Sequence, residues 1–250
     1  MIAEHQDSKQ VESTLLLVHG GWCSSWVWEL LLPELQVATK VIDLPGHAAD
    51  GRRMWSVTLN DYADAVIDVA NSIDGRVILV GHSSGGFVIS AAAGKNPSAF
   101  DELVYLAAMV PINGERLMQL ALKNASPVMN SGIRPNPLRG FISLHQSVSH
   151  DALYHDCSEE IETRASSRSE AEPLRPGIAK LKLSNGFYSL PKSYILCTED
   201  NAIPPESQRS MASRSDVPIK FELNTGHMPM YAAPKQLATI LTAYAKGEVE

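Results

Sequence analysis

Cysteine is scarce in this 250-residue chain: Cys23, Cys157 and Cys197 stand far apart and odd in number, with no C-x-x-C pair and no histidine at metal-ligand spacing. That argues against a disulfide framework and against a metal site, and predicts free thiols in a reducing, cytoplasmic setting. Positive charge is thin as well. Lys and Arg total 21 against 28 Asp and Glu, a net charge of −7, and they nowhere cluster. Nucleic acids and anionic membranes bind basic faces, so neither is an expected partner. No apolar run approaches the roughly 18 residues of a membrane span. The polar opening Met1-Ile2-Ala3-Glu4-His5-Gln6-Asp7-Ser8-Lys9-Gln10 lacks the basic and apolar regions of a signal peptide and is expected to be poorly ordered. What these absences leave is a small-molecule partner, no metal, no cofactor, and a homodimer as an open possibility.

One stretch organises the rest. Val77-Ile78-Leu79-Val80 reads as a buried strand and Phe87-Val88-Ile89-Ser90-Ala91-Ala92-Ala93 as a helix, and between them lies Gly81-His82-Ser83-Ser84-Gly85-Gly86. Glycines two residues to either side of Ser83 suit a sharp strand-to-helix turn that strains the serine and leaves no room for Cβ atoms beside it. This is the pattern of a nucleophile elbow. Leu15-Leu16-Leu17-Val18 is a second buried strand, running into His19-Gly20-Gly21-Trp22, a loop able to bring a backbone N–H close to Ser83. The N–H groups of Gly21 and Ser84 are therefore the candidate oxyanion donors. His19 reads as structural.

Further along, Ser24-Ser25 is expected to cap a helix carrying Trp26, Trp28, Leu30, Leu31, Leu32 and Leu35. A strand from Val37 to Leu44 follows, stopped by Pro45-Gly46, with Asp43 expected to cap local N–H groups rather than to pair with His47. Thr58 caps a helix with an apolar stripe from Leu59 to Ala70, and Leu103 to Ala108 forms another strand. Beyond Pro111 the pattern changes. Prolines interrupt the chain as far as Pro191, short helical segments such as Glu115 to Lys123 and Glu159 to Ala165 alternate with polar loops, and no strand pattern is visible. Residues 111–190 are read as a mainly helical lid inserted into a core of residues 1–110 and 191–250; the other reading of so long a connection is disorder, centred on Arg164 to Glu172. The core resumes with strands at Ser193 to Cys197 and Ile219 to Leu223, and closes with an amphipathic helix from Pro234 to Lys246.

Strands alternating with helices predict an α/β fold with a parallel sheet and helices on both faces. In such sheets the carboxyl ends of the strands share one edge, where sites are built. Ser83, Asp200 and His227 all fall at such ends, in the order Ser, Asp, His, and form the candidate catalytic set. Glu199 is the competing acid. Trp22, Met109 and Met228, with Met230, are expected to line a mainly hydrophobic pocket together with the lid.

The chain resembles the α/β-hydrolase family over essentially its whole length. The resemblance rests on Val18-His19-Gly20-Gly21-Trp22, Asp43-Leu44-Pro45-Gly46-His47, the elbow, Cys197-Thr198-Glu199-Asp200-Asn201-Ala202-Ile203-Pro204-Pro205 and Gly226-His227-Met228. It is most similar to the group of plant methyl esterases, hydroxynitrile lyases and bacterial esterases. The resemblance implies an α/β-hydrolase fold with a mostly parallel sheet of about six strands. It also implies a serine esterase that cleaves small, mainly apolar or aromatic carboxylic esters through an acyl-enzyme. Two alternatives accompany it: a hormone-receptor-like binding protein on the hydrolase scaffold, and a hydroxynitrile-lyase-like enzyme. The lyases carry threonine where this chain has Gly20 and lysine where it has Met228, which weighs against the second.

Overall fold

The computed structural model describes residues 12–249, so the expected disorder of the N-terminal ten residues lies outside the described part. Six strands form one parallel sheet in the order β2-β1-β3-β4-β8-β9, comprising β1 (Ser13–Val18), β2 (Thr39–Ile42), β3 (Arg76–His82), β4 (Glu102–Leu106), β8 (Lys192–Cys197) and β9 (Ile219–Leu223). Successive side chains of β1 serve opposite faces, Leu16 and Val18 joining one core cluster and Leu15 and Leu17 the other, as the two-residue period of a strand requires. Both faces are covered, which is why the central strands read as unbroken apolar runs.

On the first face lie α1 (Leu59–Asn71) and α2 (Gly85–Lys95), with α8 (Pro205–Arg214). Helix α1 starts at a capping box, where Thr58 Oγ1 accepts from the Asp61 N–H and Asp61 accepts from the Thr58 N–H. Its buried stripe of Leu59, Tyr62, Ala63, Val66, Ile67 and Ala70 follows the helical period. Helix α2 is buried on nearly every side, which its alanines and glycines permit. The opposite face is closed by α10 (Pro234–Lys246), through Leu237, Ile240, Leu241 and Tyr244, and by Val27, Trp28 and Leu31.

The helix expected after Ser24 is not continuous. Two short 3-10 turns, Ser25–Trp28 and Leu32–Glu34, take its place. Pro33 has no N–H to give to a carbonyl one turn back, and its ring would clash there, so an α-helix cannot run through it.

The segment 111–190 also differs from expectation. Short helices are present, including α3 (Leu117–Asn124), α4 (Pro127–Gly132), α5 (Glu159–Ser167), α6 (Leu174–Ile178) and α7 (Asn185–Ser189). Among them is an antiparallel three-stranded sheet of β5 (Ile133–Asn136), β6 (Phe141–Leu144) and β7 (Glu172–Pro173), in the order β5-β6-β7. Pro135 sits on the edge strand β5, where a missing N–H costs no ladder bond on the solvent side. The stretch Arg164 to Glu172 is ordered by α5 and by the carboxylates of Glu170 and Glu172. No helix among the described residues is long and apolar enough to cross a membrane.

Candidate active site

Ser83 stands at the turn from β3 to α2 with φ +54, a left-handed conformation that strains a residue bearing a side chain. The turn is held from both sides. The Ser83 N–H donates to the Leu106 carbonyl at 3.2 Å, while the Ser83 carbonyl accepts from Gly86 at 3.1 Å and Met109 at 2.9 Å. A Cβ on Gly81 would lie 2.7 Å from the Gly85 carbonyl oxygen, and one on Gly85 would lie 2.6 Å from that of His19. Any side chain at either position would push the elbow apart.

His227 leaves β9 and reaches back to the serine, its Nε2 2.9 Å from Ser83 Oγ and its Nδ1 2.8 Å from Asp200 Oδ2. A carboxylate can only accept, so Nδ1 carries the proton and Nε2 is free to accept from the serine hydroxyl. Asp200 is 2 % exposed. It accepts four hydrogen bonds: from the N–H groups of Ala202 and Ile203 at 2.8 Å each, from Gln208 Nε2 at 3.0 Å, and from His227. Donors on both oxygens satisfy the hydrogen-bonding demand of a carboxylate buried away from water. Glu199 is exposed, so the competing acid is set aside.

Three partners invisible to sequence reasoning position this set. Gln208 is fully buried and ties Asp200 to the Cys197 and Ile203 carbonyls. His82 donates from Nε2 to the His227 carbonyl at 2.8 Å, its ring tilted against that of His227 with centroids 4.8 Å apart, and burial drives its pKa well down. Asp156, in the insertion, accepts from the Gly226 N–H at 2.5 Å. The His82 and Asp156 contacts span 145 and 70 residues of sequence, and the Gln208 contact only 8, but the burial that makes Gln208 a partner of Asp200 is set by tertiary packing and has no local pattern.

Gly21 and Ser84 flank Ser83 at the cavity wall, and their N–H groups find no acceptor among the described residues. A Cβ on Gly21 would lie 3.4 Å from Ser84 Oγ, so the two residues are in contact at the cavity wall. The cavity, about 90 Å³, is also lined by Trp22 and Met109 as expected, and by Leu117, Met118, Met129 and Ile142 of the insertion. Met228 is not part of it, and nor is Met230; both belong to the core on the sheet's other face. Met228 caps the short helix α9 (Pro229–Ala232), and that turn directs its side chain inward, with 1 % left exposed.

Asp43 accepts a backbone N–H as expected, but the donor is Ser25 at 2.5 Å, 18 residues earlier at the start of the first 3-10 turn, and not a local group. His19 accepts the Leu44 N–H on Nε2 at 3.1 Å, and burial lowers its pKa to about 4. His47 behaves oppositely. Its Nδ1 faces the Leu44 carbonyl at 3.1 Å and its Nε2 the Glu172 carboxylate at 2.9 Å, so both nitrogens donate and the ring is an imidazolium. Burial opposes that charge, but the attraction and hydrogen bond of Glu172 raise its pKa to about 9. A raised folded-state pKa stabilises the fold fully below the unfolded value of about 6.5, and the gain is lost as pH rises through about 9. On the order of 3 kcal/mol is at stake. Thermal melts between pH 7 and 9.5 should show Tm falling in the wild type and nearly flat in His47→Gln; parallel slopes would refute the pairing.

A strained serine on a strand-to-helix turn, bonded to a histidine that a buried carboxylate orients, defines a serine hydrolase. The chain belongs to the alpha/beta hydrolase family, which matches residues 15–240. It is 30% identical over 250 residues to Salicylic acid-binding protein 2 of Nicotiana tabacum, covering 92% of this chain and 96% of that protein. It is 29% identical over 248 residues to putative methylesterase 11, chloroplastic, of Arabidopsis thaliana, covering 92% of this chain and 63% of that protein. Among solved structures, polyneuridine aldehyde esterase superposes with a TM-score of 0.81 at 25% identity, covering 94% of this chain and 99% of that one.

Proposed function

We propose that the chain is a serine esterase that cleaves small, mainly apolar or aromatic carboxylic esters through an acyl-enzyme. The observation that carries the reading is the unbroken path from Asp200 through His227 to Ser83, ending on the wall of an apolar cavity. His227 Nε2 takes the hydroxyl proton as Ser83 Oγ adds to the ester carbonyl carbon. The oxyanion so formed accepts from the N–H groups of Gly21 and Ser84, donors fixed in place before the charge develops. His227 then hands its proton to the departing alcohol, and the same base activates the water that releases the acid.

The small cavity and its methionine and aliphatic walls favour short esters over long chains. p-Nitrophenyl acetate and butyrate should be turned over rapidly, and faster than a long-chain triglyceride emulsion; the reverse order would overturn the substrate class. Saturable binding of such esters without turnover would instead indicate the receptor-like alternative. The lyase alternative loses support at Gly20, where a Cβ would lie 2.7 Å from Ser83 Cβ, and at Met228, which turns away from the cavity. Cleavage of mandelonitrile should be at background level. A cytoplasmic setting belongs to the proposal through the unpaired thiols of Cys23, Cys157 and Cys197. A homodimer belongs to it as well, read by sedimentation.

A further inference from the structure

Trp22 directly follows the oxyanion donor Gly21 and has φ +61, a left-handed conformation that a bulky side chain adopts only when its surroundings impose it. The surroundings that do so come from the insertion. Glu172 Oε1 accepts the Trp22 N–H at 2.8 Å, and the Glu170 N–H donates to the Trp22 carbonyl at 3.0 Å, so both backbone groups of Trp22 are held by one short segment about 150 residues away in sequence. The Glu170 carboxylate extends the grip, accepting from Ser24 Oγ at 3.0 Å and from the Ala48 N–H at 2.9 Å. Glu172 itself lines the cavity, and a Cβ on Gly21 would sit 3.8 Å from its Oε1.

We propose that Glu172 is a positioning residue of the reaction: from the insertion it clamps the loop that presents the Gly21 N–H, so that correct seating of the insertion is a condition for stabilising the oxyanion. The inference rests on the serine-esterase reading. Released from Glu172, Trp22 relaxes toward an ordinary conformation and swings the chain on either side of it, Gly21 included. An oxyanion donor works only if it is aimed before charge develops, so the loss falls on the transition state and hardly on substrate binding. A lone carboxylate this close would repel the developing oxyanion. The imidazolium of His47, bonded to the same Oε1 at 2.9 Å, neutralises it, which explains why the two are paired here.

The test compares Glu172→Ala and Glu172→Gln with the wild type by three readouts. A trifluoromethyl ketone adds to Ser83 Oγ, its carbonyl oxygen becoming the oxyanion while the hydroxyl proton passes to His227, and so reports the oxyanion site in its Ki. Steady-state hydrolysis of p-nitrophenyl acetate separates kcat from KM. Deuterium exchange on the peptide spanning residues 19–25 reports the Trp22 amide without any turnover. For Glu172→Ala we expect faster exchange at Trp22, kcat lower by roughly 30-fold, the ketone Ki higher by a similar factor, and KM within about threefold, since full loss of one such donor costs about 10² to 10³. Glu172→Gln keeps an acceptor and should restore most of the protection and most of the kcat. Unchanged protection of Trp22 in Glu172→Ala, or a kcat loss without a matching rise in the ketone Ki, would overturn the proposal. Should the wild type hydrolyse no ester, the esterase reading falls, and with it the role in catalysis, while the exchange measurement still decides whether the clamp exists.

Discussion

Replacing Ser83 by alanine should lower kcat for p-nitrophenyl acetate by about 10⁶-fold, the scale seen when a serine nucleophile is removed elsewhere. The fold should survive. Serine and alanine meet the same strain at φ +54, and the bonds that hold the elbow run through the backbone, which the substitution leaves in place. Circular dichroism and Tm close to wild type, with activity at the limit of detection, are the expected pair of observations. Because the members of such a set act as one unit, His227→Ala added to Ser83→Ala should cost little more than either alone. An additive loss would mean that the two side chains serve separate steps.

Asp200→Asn is the second large effect, about 10⁴-fold in kcat. Its cause can be followed atom by atom. Asp200 Oδ1 accepts the Ala202 and Ile203 N–H groups, so the single carbonyl oxygen of an asparagine is drawn to that side. The amide NH₂ then faces His227 Nδ1, which must become an acceptor, and the ring proton moves to Nε2. A protonated Nε2 cannot take the Ser83 proton. Glu199→Gln, at an exposed side chain, should leave kcat within about twofold, since surface changes away from such networks do little. If Glu199→Gln abolished activity and Asp200→Asn did not, the acid would have to be reassigned, with Ser83 and His227 unaffected.

The juxtaposition of Ser83, His227 and Asp200 is legible in the sequence because its signals are local. The elbow needs glycines at fixed offsets from Ser83, and Asp200 and His227 follow strands whose carboxyl ends a parallel sheet must bring to one edge. The parts that are not legible depend on tertiary burial and on contacts between segments, which local pattern does not carry. Gln208 reads as an ordinary helix residue, yet it is wholly buried under Asp200. Glu172 reads as part of a polar loop, yet it accepts the Trp22 N–H and faces Nε2 of the buried His47. The hairpin of β5 and β6 was hidden by its prolines and by strands only four residues long, too short for alternation to stand out. Met228 follows the last strand and so reads as a pocket residue, but as the N-cap of α9 its side chain turns into the core on the other face of the sheet.

The central claim, that Ser83 is a nucleophile activated by His227 and Asp200, is tested most directly by a fluorophosphonate probe followed by peptide mass spectrometry. One adduct per chain is expected, on the peptide containing Ser83, with labelling slowed by orders of magnitude in His227→Ala and Asp200→Asn. An adduct on another residue, or labelling of Ser83 at the same rate in all three proteins, would contradict it.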